Sequence, residues 1–285
     1  MFQHHNMRKL FFILLFIVSS SLAFGTAQIP DILIYKGDTI SLFDCPLAYL
    51  ANQELFRPQN LFGSSGCFYT ACYRNYVATW IIDNNKLYLI SIRNACYPTK
   101  MSYVAVYNKD GATTLGSEYA DLKTLFPDRY ENGRVLADWV NKKMISPKGK
   151  MLFYVHDGFE SVFEREIEFT IEKGILIEVK ELDNSKTHQS KYTKNPELIL
   201  EFIQSNINYS NLKKTDSTIR VIVLVNGAND EGKIDNVRIL KGYNEAYNRE
   251  AERVVKSIPE WDVVYRHGER SRGYSWSIPV VFDWK

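Results

Sequence analysis

Charge of one sign is missing from this chain: 35 Lys and Arg face 33 Asp and Glu over 285 residues. Arg8 and Lys9 are the only two of these in the first 27 positions, so beyond Ala27 the count is 35 − 2 = 33 bases against 33 acids. A balanced chain has no basic field to drive binding to nucleic acid or anionic lipid, so neither partner is predicted. Long hydrophobic runs are missing too. The apolar run Leu10 to Val18 is nine residues, whereas spanning hydrocarbon takes about 20. The 9 prolines are scattered and form no rigid spacer. No Gly-x-Ser-x-Gly elbow, His-Glu-x-x-His pair or glycine-rich phosphate loop occurs, so nothing calls for a cofactor. What is present, 45% hydrophobic, 14% aromatic and 24% charged residues without low-complexity bias, predicts a folded protein of one or two domains.

The start has the order of a secretory signal. Arg8 and Lys9 precede the short apolar run, Ser19 to Ser21 follow, and Gly25-Thr26-Ala27 supplies the small residues of a cleavage site. Residues 1–27 are therefore predicted to be a cleaved signal peptide, leaving no retained membrane span and a periplasmic or secreted product. Export bears on the four cysteines, Cys45, Cys67, Cys72 and Cys96, all in the first third of the chain. An oxidising compartment favours pairing among them, with three connectivities open and free buried thiols as the alternative. Zinc is disfavoured, because Cys67-x4-Cys72 is the only short pair and no His is near it.

Residues 28–182 read as a mostly antiparallel β domain of unknown function. Ile32 to Tyr35 with Thr39 to Phe43, and Val77 to Ile82 with Leu87 to Ile92, flank turn residues and predict hairpins. Further strands are expected at Tyr103 to Tyr107, Met151 to Val155, Phe163 to Ile171 and Ile175 to Leu182. A short helix is expected at Tyr119 to Phe126, stopped by Pro127. Glu164, Glu166 and Glu168 alternate along one strand face, which reads as a solvated outer face, with an acid and base pair as the sharper alternative. Tyr69, Tyr73, Tyr76, Trp80, Tyr88 and Trp139 suit a sheet core or, less simply, a sugar or peptide groove. By Tyr76-Val-Ala-Thr-Trp80 and Val135-Leu-Ala-Asp-Trp139 the block resembles exported bacterial domains of unassigned function, which implies no chemistry.

Residues 183–195 are polar and read as a linker. From Asn195-Pro196 onward, residues 196–285 give an α-β-β-α-β order: a helix with Leu198, Ile199, Phe202 and Ile203; strands at Thr218 to Val225 and Ile234 to Leu240; a helix over Asn244 to Ser257; and a closing strand alternating from Tyr274 to Trp284. The overall fold class is α+β, a β-rich domain followed by a small sandwich. Asp230-Glu-Gly-Lys233, Ile234 to Leu240, Glu250-Ala251, Val254-Val255, Ile258-Pro-Glu-Trp261 and Ile278-Pro-Val-Val-Phe282 together resemble the TonB C-terminal domain family. The resemblance implies binding of a protein partner, an outer-membrane transporter or other periplasmic segment, laid as an added strand along Ser275, Trp276, Ser277, Ile278, Val280, Val281 and Phe282. The segment Arg266 to Arg272 lies where that family has a polar loop, and reads as a solvated hairpin loop. An edge of this kind also predicts self-pairing into a homodimer. Pro279, tolerated in sheets chiefly at edges, argues for one open side; if its missing N–H faces outward, docking there loses a hydrogen bond, and a protected edge that resists pairing is the equal alternative. Two alternatives stand beside this. One is an exported enzyme using Cys96, His156, Asp157 or the glutamates; the other is an anchored TonB-type transducer.

Overall fold

The computed structural model describes residues 26–97, 116–271, 273 and 275–284. Most of the expected signal segment, and the strand expected at Tyr103 to Tyr107, lie outside the described residues. The chain forms a β-rich α+β structure, a large mixed sheet of nine strands and a small three-stranded antiparallel sheet covered by helices.

In the large sheet, β1 (Asp31–Tyr35) and β2 (Asp38–Leu42) form a hairpin, as do β3 (Tyr76–Asp83) and β4 (Lys86–Asn94). The turn residues Asn84 and Asn85 adopt positive φ, 49° and 59°, which Asn tolerates at low cost. Short β5 (Tyr130–Glu131) and β6 (Arg134–Leu136) follow, then β7 (Lys142–Phe153), β8 (Val162–Glu172) and β9 (Ile175–Asp183). The order is β2-β1-β3-β4-β9-β8-β7, with β6 also on β4 and β5 on β6.

Three features differ from the sequence expectation. The pair β1–β3 is parallel, so the sheet is mixed. Parallel strands need a long crossover, supplied by the irregular segment after β2, whose short helical turns bury Leu47, Phe56 and Phe62. The strand expected at Met151 to Val155 is the end of twelve-residue β7, which continues past Pro147 and Gly149 through a bulge between Lys148 and Met151. The helix expected at Tyr119 to Phe126 is a single turn, Leu122–Leu125, capped by Asp121, whose carboxylate accepts from the Lys123 amide.

The sheet curls until its end strands meet. The Phe43 amide, just past β2, donates to the Ile145 carbonyl of β7 at 2.8 Å, and Ser146 Oγ donates to the Ser41 carbonyl at 2.7 Å. Inside lie Leu33, Trp80, Leu89, Ile92, Val135, Met144, Phe169 and Ile171. Asp31 is also fully buried, and its carboxylate accepts from Arg74 Nη2 (2.9 Å), Trp80 Nε1 (3.0 Å) and the Ala78 amide (3.1 Å). A buried carboxylate needs such partners, since an isolated one would cost several kcal/mol, of order ~3–5.

The second unit contains α1 (Glu197–Asn206), β10 (Ile219–Ala228), β11 (Ile234–Lys241), α2 (Glu245–Lys256), the hairpin β12 (Val264–Arg266) and β13 (Glu269–Ser271), and β14 (Trp276–Phe282). Asn195 Oδ1 accepts from the Glu197 amide at the start of α1, and Asn244 Oδ1 accepts from the Tyr247 amide at the start of α2. Ile199 and Ile203 of α1 and Tyr247, Ala251, Val254 and Val255 of α2 meet Val221, Val223, Val225, Ile278, Val280 and Phe282 of the sheet. Each such apolar side chain taken out of water contributes about 1.5–3 kcal/mol. Gly232 turns the chain between β10 and β11 at φ +76°, and its carbonyl accepts from the Trp261 amide at 2.7 Å. Trp261 is buried edge-to-face against Trp276, ring centroids 5.9 Å apart.

The polar stretch 183–195 is not a loose tether. Asn184 and Ser190 have no exposed surface, and Thr187, Tyr192 and Thr193 are buried. His188 bridges to Val263 in both directions, while Ser190 Oγ donates to the Glu260 carbonyl and the Ser190 amide to Asp262 Oδ1. Composition suggested solvation, but these side chains are spent on hydrogen bonds along 260–265.

Candidate functional site: the flank of the closing strand

β14 is a terminal strand of the order β11-β10-β14. Its register against β10 runs from Ile219 opposite Phe282 to Val225 opposite Trp276, with Ile222 opposite Pro279. Residues of an antiparallel pair alternate between those exchanging hydrogen bonds with the neighbour and those turning their backbone groups outward. Pro279 has no N–H to give, and the Val281 carbonyl accepts from Gln204 Nε2 of α1 at 3.2 Å. Both facts assign Ser277, Pro279 and Val281 to the outward set and Trp276, Ile278, Val280 and Phe282 to the set bonded to β10. Among the described residues no strand pairs with that outward flank. It offers two N–H groups, of Ser277 and Val281, and three carbonyls, one of them held by the Gln204 side chain.

The sequence-predicted partner residues therefore divide. Ile278, Val280 and Phe282 are 3%, 0% and 0% exposed, so their side chains belong to the core. Trp276 is half-buried against Trp261. Ser277 is exposed, Val281 half-buried, and Ser275, just before the strand, is exposed with its hydroxyl on Asn226 Oδ1 at 3.2 Å. The two edges of the small sheet differ in charge. β11 carries Asp235, Arg238 and Lys241, the kind of guard that discourages pairing, while β14 has no ionisable residue and only Pro279 as an interruption. Sequence reading missed Gln204, because its role depends on how α1 lies beside β14, which no local pattern reports.

The cysteines divide as well. Cys67 and Cys96 are disulfide-bonded, while Cys45 and Cys72 are free thiols, so pairing joins two of the four. Cys96 is thereby removed as a nucleophile, and the His156 ring nitrogen Nδ1 is engaged with the Tyr154 hydroxyl at 2.9 Å. Burial, followed by the nearby Asp31 carboxylate, pushes the Cys45 thiol up to about 12; burial likewise raises Cys72. Both are protonated at neutral pH.

The glutamate face is not solvated. Glu166 and Glu168 are buried, at 4% and 9% exposure, and only Glu164 keeps substantial contact with water. Lys143 Nζ donates to Glu168 at 2.7 Å. Glu166 receives the tip of the β12–β13 hairpin: its Oε2 accepts from the His267 amide at 3.1 Å and pairs with His267 Nδ1 at 2.8 Å, while Arg266 pairs with Glu160. The basic segment does form a hairpin, but its tip at Arg266 and His267 is a contact with the large sheet and not a solvated loop. Period two correctly put the carboxylates on one face but said nothing about what covers it. Beside this contact opens a cleft of about 400 Å³ lined by Asp44, Cys45, Tyr49, Tyr73, Lys142 and His267 among others. Asp44 is buried, accepting from the Tyr49 hydroxyl and pairing with Lys142 Nζ at 3.1 Å. Of the aromatics, Trp80 and Tyr76 are core residues, Trp139 stacks on Phe126, Tyr88 lies under Arg134, and Tyr73 is exposed.

Among the described residues no group of three or more His, Cys, Asp or Glu is arranged to hold a metal ion, and no helix is long and apolar enough to cross a membrane. No protein-family model, curated protein or solved structure matches the chain.

Proposed function

We propose that this is an exported protein-interaction protein whose C-terminal unit recruits a partner by accepting an extended segment along β14. The observation that supports this reading is the outward backbone of Ser277, Pro279 and Val281 on a terminal strand of the three-strand sheet that, unlike β11 at the other edge, carries no ionisable residue. Strand addition supplies main-chain hydrogen bonds that a solvated edge otherwise gives to water. The α-β-β-α-β order and the resemblance to the TonB C-terminal domain support it, as do the signal-like start and a disulfide suited to an oxidising compartment. A visiting segment would displace Gln204 from the Val281 carbonyl and would find no donor at Pro279, so the best register places its own donor against the Pro279 carbonyl.

The test is photo-crosslinking of the full exported chain with a reactive side chain at Ser277, in its host, compared with the same chain carrying Val281→Pro. That substitution removes an outward N–H while leaving the bonds to β10 in place. Loss of the crosslinked partners with an unchanged circular dichroism spectrum is expected. Equal recovery of every partner by the proline variant contradicts the reading. A product of twice the chain mass identifies a second copy as the visitor.

A further inference from the structure

The small sheet is covered on one face only. Val221, Val223 and Val225 of β10 point, with Ile278, Val280 and Phe282 of β14, toward α1 and α2. The residues between them lie on the other face, because positions directly opposite in a ladder share a face. There Arg220 is opposite Val281, Ile222 is opposite Pro279 and Lys241, and Leu224 is opposite Ser277 and Arg238. Ile222, Leu224, Pro279 and Val281 are half-buried and join no core cluster among the described residues. From Ile219 to Val225, β10 is thus apolar on both faces with Arg220 as the only break, which is the pattern of a strand covered on both sides. Apolar sheet faces are buried against a further layer, and α1 and α2 supply only one.

The charge on this open face has one sign. Arg220, Arg238 and Lys241 are exposed on it. The one carboxylate within the three strands, Asp235, instead lines a polar cleft with Arg270 and Asn229. Every other arginine among the described residues pairs with a carboxylate. Arg220 and Arg238 do not, and Asp283, just past β14, pairs with neither. In a chain whose acids and bases balance, the two arginines left over stand beside the one apolar sheet face left uncovered. Their stems can lie along apolar surface while the guanidinium forks accept a carboxylate in a bidentate pair.

We infer that this face is a second docking surface, and that its occupant is an amphipathic helix of a partner protein whose apolar stripe is flanked by Asp and Glu. The stripe covers Ile222, Leu224, Pro279 and Val281, and the flanking acids meet Arg220, Arg238 and Lys241. A helix of about 15 residues is ~22 Å long, which matches the ~23 Å of seven-residue β14. A second copy laid on by the same face would set these cations against their own kind, which costs affinity. An anionic membrane calls for a broad basic field, and the balanced chain has none. The inference is independent of the β14 edge, because an added strand bonds to the backbone of Ser277 and Val281, whereas the helix touches side chains on the face.

The experiment titrates the full exported chain with a fluorescent, lactam-stapled peptide of about 15 residues, with Leu at helical spacing and Glu on both flanks, the staple offsetting the weak helicity of so short a segment. The same peptide with Lys in place of Glu is the control. Fluorescence anisotropy reads affinity, and methyl and amide NMR spectra read the place of contact. The expected result is binding of the acidic peptide about tenfold or more tighter than the basic one, weakened by added salt, with shifts at the Ile222 and Leu224 methyl groups. The double variant Arg220→Glu with Arg238→Glu, both at exposed positions, is expected to reverse the preference with an unchanged circular dichroism spectrum. No saturable binding of the acidic peptide, equal affinity for the two peptides, or a double variant that binds as the parent does overturns the inference. Shifts confined to the Ser277 and Val281 amides also overturn it and place the peptide on the β14 edge. Tighter binding of phosphatidylglycerol vesicles than of the peptide assigns the face to a membrane. Twice the chain mass in light scattering, returned to a single mass by the double variant, assigns it to a second copy; either result overturns the helix.

Discussion

The end strands of the large sheet meet each other and those of the small sheet do not. In the first, β2 and β7 sit at opposite ends of the strand order yet meet through the Phe43 amide and Ser146 hydroxyl, while β9 joins β4 only at Ile175 and exposes Ile177 and Val179 beyond it. In the second, β14 ends the sheet with its odd-numbered backbone groups outward. The interiors differ in the same sense. The large sheet buries Asp31, Arg74, Glu166 and Glu168, each held by partners distant in sequence. The interior of the small sheet is apolar side chains supplied by strict alternation and by two helix stripes. The large sheet thus combines end strands that meet with buried charge pairs, and the small one combines an apolar core with an edge strand free of ionisable residues.

Two substitutions sharpen this contrast. Asp31→Ala should have the larger effect, about 3–5 kcal/mol of lost stability in denaturant titration, because it strands the Arg74 charge in the interior. Replacing Asp31 and Arg74 together with apolar residues should recover most of that loss. If the single substitution costs under about 1 kcal/mol, the large sheet does not depend on its buried pair. A smaller effect is expected in the C-terminal unit from Glu250. Burial works against its charge, but Arg253 and the Asn208 amide outweigh this and hold the carboxyl below its ordinary value of 4.5. A carboxylate lowered by folding contributes stability that is present above its unfolded pKa and is lost as pH falls through the folded one. Glu250→Gln should therefore flatten the acid limb below about pH 4.5, by roughly 0.5–1.5 kcal/mol, in thermal melts followed against pH. An unchanged acid limb would mean that the Glu250 contacts carry no weight.

How much of this was legible follows from the same contrast. The strands β1 to β4, β8 and β9, and nearly every element after residue 196, were readable because period-two and helical alternation are local signals. The parallel pair β1–β3 was not, since Ile32 and Thr79 meet through a crossover that no turn signal marks. Pro147 and Gly149 hid the continuity of β7, because both residues ordinarily end strands. Glu166 and His267, 101 positions apart, could not be paired from either local pattern. The sequence marked the strand from Ser275 to Phe282 but did not separate its outward residues Ser277, Pro279 and Val281 from the core-facing Ile278, Val280 and Phe282, and Gln204 and the orphaned Arg74 nitrogens likewise required the folded arrangement.

The central claim is that β14 has a vacant flank, and residue-resolved amide hydrogen exchange on the isolated full chain tests it most directly. Amides without a hydrogen-bonding partner exchange fast, and those in a ladder are protected. The account predicts rapid exchange at Ser277 and Val281 and strong protection at Ile278 and Val280, with Ser277 and Val281 becoming protected only when a partner is bound. Protection of Ser277 and Val281 in the chain alone would contradict it.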